Sequence, residues 1–129
     1  MDPFEQAYEL DVHGGNSSHG VQATCVDCHL PHDNAVVYFV GKAQTGLHDI
    51  WVENTTDTSQ IDWRAKREHR EDYVYDSGCL HCHNNLEQAT KATNAGFIAH
   101  KAYFSGEIDD QCVTCHQNVG HKNLTSFIP

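Results

Sequence analysis

Apolar positions along this chain come in short helical stretches separated by polar, glycine-rich links. Asp2-Pro3-Phe4-Glu5 carries the marks of a helix start: Asp at the N-cap, Pro at the first position and Glu at the third. The predicted helix ends before Gly14-Gly15, and residues 16–24 form a polar approach to Cys25. Asn34 is a good cap for a helix running through Val36, Val37, Val40 and Lys42 towards Trp51, with a loop over 54–58. Ser59-Gln60-Ile61-Asp62 opens a charged helix through Arg64, Arg67 and Glu71 to about Tyr75. Residues 85–104 read as one long helix, with Leu86, Ala89, Ala92 and Phe97 roughly on one side, and Asn94 and Gly96 as its weak points. Ser105-Gly106 ends it. The pattern predicts a mainly α, loop-rich fold with little sheet.

Between these segments lie three copies of Cys-X-X-Cys-His, which account for all 6 cysteines: Cys25/Cys28/His29, Cys79/Cys82/His83 and Cys112/Cys115/His116. This is the attachment signature of c-type haem. Two thiols add across the haem vinyl groups, and the next histidine reaches the iron from the same turn. Zinc ribbons also pair Cys-X-X-Cys, but with short gaps, and zinc gives no reason for a histidine after every second cysteine. Three local disulfides are the remaining alternative. The motifs recur without a fixed period, which excludes a solenoid. Three haem c groups make electron transfer the default activity, with no catalytic residue required.

Composition supports that reading. At 129 residues and 39% hydrophobic, the chain fits one small domain over 1–129 whose protein core would be thin. Covalently fixed porphyrins would form the core instead. The formal net charge of −10 argues against nucleic acid and for redox partners with basic docking patches. The longest apolar run, 35–40, is far too short for a membrane span, and no signal peptide is present. Haem attachment nonetheless demands an exported chain, so a periplasmic or other extracytoplasmic location is expected.

His29, His83 and His116 are proximal ligands by construction. Met1 is the only methionine, so histidine is expected as the sixth ligand throughout, giving low-spin iron. Eight histidines remain for three places, and spacing does not choose among His13, His19, His32, His48, His69, His81, His100 and His121. An unused one would be a solvated side chain or a haem-propionate partner; His32, His48, His69 and His81 suit that role best.

Two stretches carry a resemblance. Ser77-Gly-Cys-Leu-His-Cys-His83, Ala99-His100-Lys101 and Cys112-Val-Thr-Cys-His-Gln-Asn-Val-Gly-His121 resemble the last two haem sites of the NapC/NirT/NrfH family. Val21-Gln-Ala-Thr-Cys-Val-Asp-Cys-His-Leu-Pro-His32 is similar to that family's second site. Members are four-haem periplasmic quinol dehydrogenases with an N-terminal membrane helix. The resemblance implies His121 as distal ligand of the Cys25/Cys28 haem, His19 for the Cys79/Cys82 haem with His13 as substitute, and His100 for the last haem. In some members a partner enzyme's lysine fills that last place. It also implies a quinol site at Lys42 and Asp49, where the lysine would bond a quinol oxygen and the carboxylate take its proton.

The departure is the haem count. The family's first site carries a methionine ligand leading into a Pro-Phe-type segment, and Met1 stands directly before Asp2-Pro3-Phe4. The expectation is a shortened or incomplete relative, lacking a first haem and membrane anchor upstream. It would relay electrons from the quinol pool to a periplasmic reductase or another cytochrome. The alternatives are a free three-haem shuttle and a subunit of a haem-stacked filament.

Overall fold

Short helices and irregular links make up the whole computed structural model, which describes residues 2–18 and 20–128, Asp2 by its backbone alone. Helices α1 (Asp2–Glu9), α2 (Cys25–His29), α3 (Ala35–Thr55), α4 (Trp63–Lys66), α5 (Asp76–Cys82), α6 (Leu86–Lys91), α7 (Asn94–Phe104) and α8 (Cys112–Cys115) follow in order. Three 3-10 segments, Thr58–Gln60, Arg67–Asp72 and Leu124–Ser126, join them, and no strand occurs among the described residues.

Two expected helices come out divided. The charged run over 59–75 is broken because two aspartates cap new starts. Asp57 accepts from the Ser59 N–H at 3.0 Å, and Asp62 accepts from the Ala65 N–H at 2.9 Å. Beyond Lys66 the chain tightens to 3-10 and kinks at His69. The expected helix over 85–104 divides at Thr93, whose hydroxyl accepts from the Gly96 N–H at 3.1 Å and starts α7. Conversely, α3 runs on through Asn54 and Thr55. Their side chains bond back to the carbonyls of Ile50 and Trp51, at 2.7 Å each.

The side-chain core is small. Ala7, Leu124 and Ile128 are buried together, with Phe4, Trp63 and Phe127 packed around them, so α1 and the last turns close on each other. Elsewhere Leu30, Pro31 and Val113 are the buried apolar side chains among those described. Helix α3 has no buried residue at all; Val36 is 72% exposed and Trp51 69%.

One contact fixes how the first two motifs meet. Gly78 is buried against α2, and a Cβ there would lie 2.1 Å from the Asp27 carbonyl oxygen. The Tyr75 N–H also donates to the Cys28 carbonyl at 3.1 Å. Backbone cannot yield as a flexible side chain can, so Gly78→Ala should destabilise the haem-loaded protein by about 1–3 kcal/mol, the usual cost of overpacking. A denaturant midpoint equal to wild type would contradict this close approach.

Candidate haem sites

Each motif sits on one helical turn that aims its cysteines and histidine together. In α2, Asp27 accepts from both the Thr24 backbone N–H (2.6 Å) and the Thr24 hydroxyl (2.7 Å), which pins the start of the turn. Those hydrogen bonds, the side-chain one foremost, hold the Asp27 carboxyl below its usual range. His83 and His116 directly follow α5 and α8, and their N–H groups donate to the carbonyls of Cys79 and Cys112, at 2.9 Å each. The turn thus closes on the histidine itself.

Opposite each motif histidine stands a second histidine from a distant part of the chain. Ring centres lie 6.1 Å apart for His29 and His121, 6.1 Å for His83 and His13, and 6.0 Å for His116 and His100. The last pair is nearly parallel, at 19° between planes; the others are tilted at 48° and 64°. An imidazole nitrogen binds a transition metal at about 2 Å, with the ring centre about 1 Å further out. Two imidazoles on opposite faces of one ion therefore have centres about 6 Å apart. All three pairs fit that separation, so the residues suit a haem iron held between two histidines.

The second histidines differ in how their rings are held. His100 Nδ1 donates to the Gly96 carbonyl at 2.9 Å, one turn back in α7. His13 Nδ1 donates to Asp11 Oδ1 at 3.0 Å. His121 Nδ1 is buried without a hydrogen-bond partner of normal geometry, beside the ring and backbone of Phe4. Burial first, then the neighbouring His29, lower the proton affinity of His121, which favours the neutral form that binds metal. Among the motif histidines, His29 Nδ1 donates to the Tyr73 carbonyl at 2.7 Å.

The motifs also approach one another in chain order. Burial pushes the Cys28 thiol up to about 11, and Cys79 is among its charged neighbours. Cys79 in turn meets Cys112, with Asp76 completing a cluster whose ligand atoms all lie within 4.8 Å. In the unattached chain a hydrogen bond with the Cys112 thiol holds Cys79 down to about 7, and that bond pushes Cys112 up.

The matching family model is the N-terminal region of the NapC/NirT cytochrome c family, and it covers residues 1–126. The chain belongs to this family. Family members are haem c cytochromes that transfer electrons, and the mainly α, loop-rich fold is that of a multihaem cytochrome. The chain is 30% identical to the cytochrome c-type protein NapC of Escherichia coli over 130 residues, 91% of this chain and 60% of NapC. It is 31% identical to NrfH of Wolinella succinogenes over 115 residues, 87% and 61% of the two chains. It is 26% identical to TorC of Escherichia coli over 134 residues, 95% and 33%. The chain thus spans a third of TorC and about three fifths of the other two. No solved structure matches it.

Of the sequence-predicted distal residues of this cytochrome, His121 and His100 stand opposite the expected partners, and His19 lies outside the described residues. Lys42 and Asp49 are both exposed on α3. They lie two helical turns apart, which puts them on one side of the helix. Among the described residues Asp49 faces only His48, at 3.6 Å, and the Lys42 ammonium has no partner. His32 lies near His81, ring centres 5.4 Å apart and tilted by 33°, and neither stands opposite a motif histidine. No described helix is long and apolar enough to cross a membrane.

Two residues that sequence reasoning missed hold the sites in place. Asp76 accepts from the Cys112 N–H and from the Tyr103 hydroxyl, at 2.9 Å each, tying α5 to α8 and α7. Asp11 orients His13. Asp76 had a faint signal, an acid in the first turn of a motif helix; Asp11 had the spacing Asp-X-His.

Proposed function

We propose that the chain is a single three-haem unit that relays electrons from a quinol pool towards a periplasmic reductase or a further cytochrome. The observation that carries this reading is the set of three histidine pairs, each one motif histidine and one distant histidine at the separation of a single shared ion. The assignments are Cys25, Cys28, His29 and His121 for the first haem; Cys79, Cys82, His83 and His13 for the second; Cys112, Cys115, His116 and His100 for the third. His13 takes the place that the resemblance gave to His19, because it is His13 that stands opposite His83.

When bound, each iron supplies a one-electron site that cycles between ferric and ferrous states. The protein supplies attachment, two nitrogens per iron, and short spacing. Two histidine nitrogens offered to each iron would leave no site for a substrate, which suits transfer rather than substrate turnover. The packing of α5 against α2 at Gly78, and the meeting of Cys79 with Cys112, support a relay in chain order. Lys42 and Asp49, unshielded on one side of α3, are the proposed quinol contacts: the ammonium would donate to a quinol oxygen and the carboxylate accept its proton. The charge of −10 favours partners with basic surfaces.

Intact-mass measurement of protein matured with haem should show three haem additions, and a pyridine haemochrome should give the same ratio. Fewer than three overturns the reading. A quinol analogue should reduce the membrane-associated protein, and Lys42→Ala with Asp49→Ala should slow that step without changing the haem count. Unaltered quinol kinetics would remove these residues from the site.

A further inference from the structure

The three distal histidines share one role but not one environment. Gly96 offers His100 a neutral carbonyl, and His121 Nδ1 is buried without a normal partner. Only His13 donates to a carboxylate, and that side chain is only 8% exposed. Asp11 Oδ1 accepts twice from the same residue, from the His13 backbone N–H at 2.9 Å and from Nδ1 at 3.0 Å. The turn around it is fixed on both sides. The Asp11 N–H donates to the Tyr8 carbonyl, and the Asp11 carbonyl accepts from Gly14 and Asn16. The His13 carbonyl accepts from the Ala23 N–H at 2.8 Å, and the Tyr8 hydroxyl donates to the Ala23 carbonyl. Gly14 is pressed so close to Tyr8 that a Cβ would fall 2.1 Å from its carbonyl oxygen.

We propose that Asp11 is a positioning residue that sets the redox potential of the haem bound by Cys79 and Cys82, acting through His13. The proposal rests on the reading of His13 as the distal ligand. Two physical effects act in the same direction. A carboxylate accepting the Nδ1 proton fixes the tautomer, leaves Nε2 as the ligand atom, and raises its basicity. A buried negative charge next to the site also favours the more positive, ferric state over the ferrous one. Both lower the midpoint of this haem, and neither acts as strongly at His100, whose partner is an uncharged carbonyl. The haem next to Asp11 is thereby made the reluctant acceptor of the three. A cleft of about 400 Å³ lined by Asp11, His13, Cys115, His116 and Lys122 puts the same carboxylate beside the third motif, where its influence is through space alone.

The test uses the haem-loaded protein, with redox titrations followed by optical and electron paramagnetic resonance spectra. Asp11→Asn keeps a hydrogen-bond acceptor of the same shape and removes the charge. One low-spin signal should move and the midpoint of that haem should rise most, its reduction equilibrium shifted about tenfold, or about 59 mV. Asp11→Ser, a smaller uncharged acceptor, should shift the same midpoint upwards, and it serves if the asparagine variant fails to mature. His13→Ala should open the same haem to carbon monoxide. If His13→Ala leaves all haems low-spin, the ligand assignment fails. If His13→Ala opens one haem while the Asp11 variants leave every midpoint in place, the ligand assignment stands and the role of Asp11 is overturned.

Discussion

Expressed without haem attachment, the chain should be largely unfolded, with no cooperative melt in near-ultraviolet circular dichroism. This is the largest effect expected of any change to the molecule. Ordering a backbone costs about 1–2 kcal/mol per residue, and burial of apolar surface is the main term that offsets it. Among the described residues the buried apolar side chains are Ala7, Leu30, Pro31, Val113, Leu124 and Ile128. Three of the six belong to the single cluster joining α1 to the last turns. Helices α2, α5 and α8 carry the motifs but bury between them only Gly78 and Val113. Porphyrins attached at those turns would bring in large apolar faces and close loops through the bonds they make. A haem-free chain with a sharp, cooperative transition would show that side chains alone suffice, and the view of haem as core would fall.

What was readable in the sequence was what is local. Each Cys-X-X-Cys-His sits on one turn, as its spacing implies. The same holds for the caps at Asn34 and the early helix at Asp2. What failed was continuity over long polar stretches. The run over 59–75 looked like one helix because its charges fit a helix. Asp57 and Asp62 each offer the backbone a competing hydrogen bond, and Arg67 reaches Asn118 at 2.9 Å instead of a neighbour one turn away. Thr93 divides α6 from α7 in the same way, and its effect depends on Gly96 leaving room for the hydroxyl.

The distal histidines are a problem of long-range pairing, which spacing does not encode. His121 and His100 were reached through family resemblance, and each stands opposite the expected motif histidine. His13 and His19 both precede the first motif, and nothing in their immediate neighbours separates them except Asp11. A buried carboxylate two residues before a histidine is an ordinary local turn by itself. It gains meaning only when the fold sets that histidine 6.1 Å from His83.

Replacing His121 should have the second largest effect, and it differs in kind from replacing His100. His121 is half-buried, with Phe4 edge-on at 5.5 Å and His29 at 6.1 Å, and it lies three residues before the buried Leu124. His121→Ala therefore removes a ligand and leaves a gap beside the main apolar cluster. The expected result is one high-spin haem that binds carbon monoxide, together with a loss of about 2–4 kcal/mol in stability, the range for cavities left by large side chains. His100 stands in the middle of a helix with no buried residue. His100→Ala should open one haem equally well while lowering stability by about 1 kcal/mol or less. Carbon monoxide difference spectra read the first effect and denaturant midpoints the second. If His121→Ala stays fully low-spin, another histidine holds the Cys25/Cys28 haem. If both variants lose stability alike, the gap beside Phe4 is not what distinguishes them, and the link between the His121 ligand and the apolar cluster of Ala7, Leu124 and Ile128 is wrong.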